Sequence, residues 1–63
     1  MSQITLQQQI DCVAREIKMR EFVYPGRVRA GKMKQEKADY EIAAMNALLA
    51  TLIGLRAAVQ AER

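Results

Sequence analysis

The sequence predicts an all-α protein: an antiparallel two-helix hairpin that dimerises into a four-helix arrangement. Three observations carry this expectation. The stretch from Gln35 to Ala61 holds no proline and one glycine, and its large apolar residues recur at helical spacing. A shorter stretch with the same period precedes it, between Ile4 and Tyr24. Finally, 63 residues lie near the lower limit for independent folding, and a lone pair of helices leaves one side of each wet. Self-association is the economical way to complete such a core.

Residues 1–63 therefore read as one domain, with helix 1 over about 4–24, a tip over 25–34 and helix 2 over about 35–61. In helix 1, Leu6, Ile10, Val13, Ile17 and Tyr24 fall on one stripe with steps of three and four, the spacing of a packed seam. Arg20 interrupts that stripe. Gln7, Gln8, Asp11, Arg15 and Lys18 lie largely away from it, and Glu16 and Arg20 are spaced for an i,i+4 pair. Pro25 cannot continue the helical ladder and biases Tyr24 out of the helical region, so helix 1 is expected to stop there. The linker leaves room for one short turn beginning at Pro25, ended by Gly31 in a left-handed conformation. Val28 and Met33 are the apolar residues available beneath this elaborated tip.

Helix 2 is expected to open near Lys34 or Gln35. Lys34 offers no side-chain acceptor to the free amides, while Glu36, Asp39 and Glu41 complement the helix dipole. Ala38, Ile42, Met45, Leu49, Leu52, Leu55 and Val59 form one stripe, which Leu48 and Ile53 widen. Ala43, Ala44, Ala47 and Ala50 supply small surfaces where another helix can come close. An apolar face wider than one partner requires implies two. Helix 1 is the first, and a second copy of the chain is the other.

Composition narrows the function. There is no histidine and serine occurs only at position 2, so no Ser/His or Cys/His nucleophilic arrangement exists. Gly26 and Gly31 do not have the spacing of a phosphate loop. A single cysteine, Cys12, gives no intrachain disulfide and no thiolate zinc site. No enzyme, cofactor or metal is expected. Cys12 itself reads as a small residue in or near the seam, and Met19, Met33 and Met45 as core filling. The N-terminal MSQITLQQQID lacks a basic segment followed by an apolar run. The fourteen uncharged residues between Glu41 and Arg56 fall short of the roughly 20 that span a bilayer. No membrane partner is expected, and a reducing cytoplasm is the expected setting.

Charge concentrates at one end. Residues 27–37 carry Arg27, Arg29, Lys32, Lys34 and Lys37 against Glu36 alone, while residues 1–26 balance. Clustered cations steer phosphates or acidic protein surfaces. Met19 and Phe22 lie partly off the main stripe. The expected partner-binding set is thus Met19, Phe22, Tyr24, Arg27, Arg29, Lys32 and Lys34. Arg20 is expected to reach across the hairpin to Asp39 or Glu41.

From Arg15 to Leu52 a spaced set of residues stands out: Met19–Arg20, Val23–Pro25, Gly31–Met33, Ala38–Asp39, Glu41–Ile42 and Met45. In these the chain resembles small phage and prophage helical-hairpin proteins, a group similar to the phage-encoded anti-activators of bacterial quorum sensing. It departs from their pattern at Arg27, where a bulky aromatic is common, and at Lys34, where a capping Ser or Thr is usual. The resemblance implies a dimeric host-takeover protein in the cytoplasm of a bacterium. Such a protein binds and inhibits a host protein, a LuxR-type transcription activator or a pilus-assembly ATPase. Two other classes stay open on the residues alone: a dimeric RNA- or DNA-binding hairpin using the basic tip, and an assembly protein of a virion.

Overall fold

A computed structural model describes residues 3–61. Two helices, α1 (Leu6–Arg29) and α2 (Gln35–Ala61), pack side by side and antiparallel. The molecule is a slab of 49 × 25 × 14 Å, as expected for two helices joined by a short turn.

Thr5 starts α1. Its hydroxyl accepts from the Gln8 amide at 3.0 Å, and the Gln8 side chain accepts from the Thr5 amide at 2.8 Å. This reciprocal capping box satisfies two free amides at the helix start. The stripe predicted for α1 does face α2: Ile10, Ile17 and Tyr24 are buried, and Leu6, Val13 and Arg20 half-buried.

The end of α1 differs from the expectation. The helix runs through Pro25 to Arg29 instead of stopping near residue 24. A proline inside a helix costs roughly 3 kcal/mol, because a hydrogen bond is lost and the ring meets the preceding turn. Packing outweighs that cost here. Buried Tyr24 and half-buried Val28 are one turn apart, so continuing the helix keeps both against α2. The turn expected to begin at Pro25 is therefore the last turn of α1, and the tip shrinks to residues 30–34.

Gly31 is left-handed as expected, with φ of 74°, but it closes α1 itself and not a separate turn. The Lys32 amide donates to the Arg27 carbonyl at 2.9 Å, and the Gly31 amide to Val28 at 3.0 Å. These two bonds make a Schellman closure, which requires a left-handed residue between helix and loop. α2 then begins where expected, with the Ala38 amide donating to the Lys34 carbonyl at 3.1 Å.

Along α2, Ala38 is buried and Ile42, Met45, Leu49 and Leu52 are half-buried. Leu55 and Val59, predicted in the same stripe, stand 51% and 45% exposed. A step of four from Leu52 leads to Arg56, and it is Arg56 that turns inward, donating to the Gln7 side chain at 2.7 Å. A step of three leads to Leu55, which runs out onto the flank. The expected pairing of Arg20 with Asp39 or Glu41 does not form. Arg20 instead binds Glu16 one turn back, at 2.7 Å. Asp39 accepts from Gln35 at 2.9 Å, and Glu41 faces Lys37 at 3.6 Å. Short-range partners on the same helix need no cross-hairpin reach.

By length and composition α2 could cross a membrane. The fourteen-residue limit taken from its charge-free run is too strict, because Arg56 sits near the end of the helix, where a long cation can reach the interface.

Candidate interaction surfaces

The interior of the hairpin is small. Among the described residues Ile10, Ile17, Tyr24 and Ala38 are buried, and no large side chain is fully enclosed. Much of the apolar surface therefore lies outside, and three surfaces stand out, two apolar and one cationic.

The first is the outward face of α1. Phe22 is 87% exposed and Met19 50% exposed. Three residues apart, they share the face turned away from α2, with Arg15 one turn before Met19. An aromatic ring this bare is the kind of anchor that dominates interfaces when buried. Tyr24, grouped with them from sequence, is buried against α2 and does not belong to this surface. A shallow pocket lies beside the face, lined by Met19, Arg20, Val23, Tyr24 and Arg27. Glu16 holds the Arg20 guanidinium above its ordinary pKa through their hydrogen bond, so its charge is fixed.

The second is the tip. Arg27, Arg29, Lys32 and Lys34 are all exposed. Among the described residues the ion pairs are Glu16–Arg20 and Lys37–Glu41, so none of these four cations is neutralised there. Arg27 and Arg29 occupy the last turn of α1, where the negative end of the helix dipole favours them. Lys32 and Lys34 follow on the loop. The structure thus brings the four predicted cations together around one end of the slab.

The third was only partly visible in the sequence. Leu48, Leu52, Leu55 and Val59 recur with steps of four, three and four along one flank of α2. Beside them opens a groove of about 660 Å³ between the helices, lined by Ile4, Gln8, Cys12, Val13, Leu48 and Leu52 among others. Leu48, expected to widen the stripe, borders this groove, and Cys12, expected in or near the seam, lies exposed on its wall. The missing signal was the register between helices, which places Arg56 beside Gln7. Cys12 is exposed. Among the described residues no cluster of His, Cys, Asp and Glu could hold a metal ion.

No protein-family model, curated protein or solved structure matches this chain.

Proposed function

We propose that the chain is a non-enzymatic phage or prophage protein that works as a homodimer and inhibits a host bacterial protein by occlusion. One observation carries this reading: the hairpin exposes more surface than its mass warrants. Its 5166 Å² compares with about 4,100 Å² for a compact folded chain of 7.1 kDa. The excess, on the order of 1,000 Å², is close to the ~800 Å² per partner that a stable interface covers. A second copy accounts for that excess, and Met19 and Phe22 on the opposite side of α1 are then left for the host protein.

A LuxR-type quorum-sensing activator in the cytoplasm is the first partner to test, on the strength of the sequence resemblance. The experiment mixes the purified chain with such an activator and its promoter DNA. Release of the DNA is expected with the parent chain, and at least tenfold weaker inhibition with Phe22→Ala. No effect of the parent chain at micromolar concentration rules that partner out.

A second reading rests on the four exposed cations of the tip. A nucleic-acid-binding hairpin would lose affinity steeply with salt, with a slope near −0.9 per phosphate neutralised on duplex DNA. Replacing Arg27, Arg29, Lys32 and Lys34 together by Ala would abolish that binding. Retention of RNA or DNA by the parent chain, lost in this variant, would favour the second reading over the first.

A further inference from the structure

We infer that the second copy covers the α2 flank formed by Leu48, Leu52, Leu55 and Val59, with the two α2 helices running antiparallel across a two-fold axis. This rests on the homodimer proposed above and gives it a surface and a direction.

The choice of surface follows from spacing and polarity. The four residues keep the alternating four- and three-residue steps of a helix–helix seam, and all but Leu52 are more than two-fifths exposed on the hairpin. Ala44 and Thr51 border the flank, and the Thr51 hydroxyl donates to the Ala47 carbonyl, so it needs no outside partner. Arg56 is turned inward to Gln7, leaving this stretch without a charge to desolvate. The adjoining groove, lined by Ile4, Cys12 and Val13 with the exposed Asp11 and Arg15 beside them, receives the edge of the incoming helix.

Direction follows from two further points. An isologous contact must be self-complementary. With the helices antiparallel and the axis between Leu52 and Leu55, Leu48 lies opposite Val59 and Leu52 opposite Leu55, so every flank residue finds an apolar partner. A parallel pair would also match like with like, so charge decides. Parallel helices would hold the two basic tips about 10 Å apart, near the ~8 Å Debye length at physiological salt. The antiparallel pair separates them by roughly 60 Å at 1.5 Å per residue, far beyond screening.

Engineered cysteines read both the surface and the direction. In a Cys12→Ala background, Leu48→Cys and Val59→Cys chains are mixed, refolded together and oxidised, with sedimentation run in parallel. Opposite positions bring the Cβ atoms within bridging range, whereas 48 and its own copy lie about 16 Å apart along the axis. The expected result is a mixed 48–59 disulfide and little self-bridged Leu48→Cys. Dominant 48–48 bridging would overturn the direction, and a dimer that forms no bridge would overturn the surface. In both cases the homodimer itself stands; a monomer by sedimentation sinks it together with this inference. As an independent check, Leu55→Asp is expected to weaken dimerisation at least tenfold, and Ala50→Asp on the far flank to leave it unchanged.

Discussion

At the scale of single residues, Gly31 shows how directly the chain encodes its bend. A side chain there would meet no atom within 4 Å, so crowding plays no part. Its φ of 74° is the whole constraint. Gly31→Ala is therefore expected to destabilise the protein by about 1–2 kcal/mol, the cost of left-handed backbone for an L-residue. Urea titration at fixed protein concentration measures this, and an unchanged midpoint would mean the tip adopts another closure. Gly31 was legible in advance because glycine after a helix has one dominant use. Arg20 was not. Its place in an apolar stripe suggested a distant carboxylate, whereas Glu16, one turn away on the same helix, was the nearer and less costly partner.

At the scale of elements, the two helices, their order and the faces they turn to each other were readable from periodicity. The start of α2, at Gln35, falls within the expected Lys34–Gln35. The end of α1 did not, because local proline rules say nothing about what packing beyond the proline is worth. Tyr24 and Val28 both gain contact with α2 only if the helix continues. Pro25 is exposed, so Pro25→Ala should keep that packing while restoring a backbone donor. The expected gain is about 1–2 kcal/mol, less than the full helix-interior penalty because proline also restricts the unfolded chain. A loss of stability would show instead that the ring is needed to set the path into the tip. Leu55 and Val59 make the complementary case. Composition placed them in an apolar stripe, but only the register between helices shows that Arg56 takes the inner position.

At the scale of the whole molecule, every feature points outward. A slab 14 Å thick has two broad faces and almost no interior. From Leu48 to Val59 one flank of α2 is apolar and uncharged, the outer face of α1 carries Phe22, and the tip gathers the cations. On the proposed reading, one of these surfaces meets a second copy and another a host protein. This outward placement explains why the function was less legible than the fold. Helical period reports which residues are apolar, not which molecule covers them.

The most direct measurement is sedimentation equilibrium of the parent chain at micromolar concentration, with thermal unfolding followed at several concentrations. The account predicts a particle of about twice the 7.1 kDa chain mass, whose midpoint rises with concentration. A 7.1 kDa species that unfolds cooperatively, at a temperature independent of concentration, would contradict it.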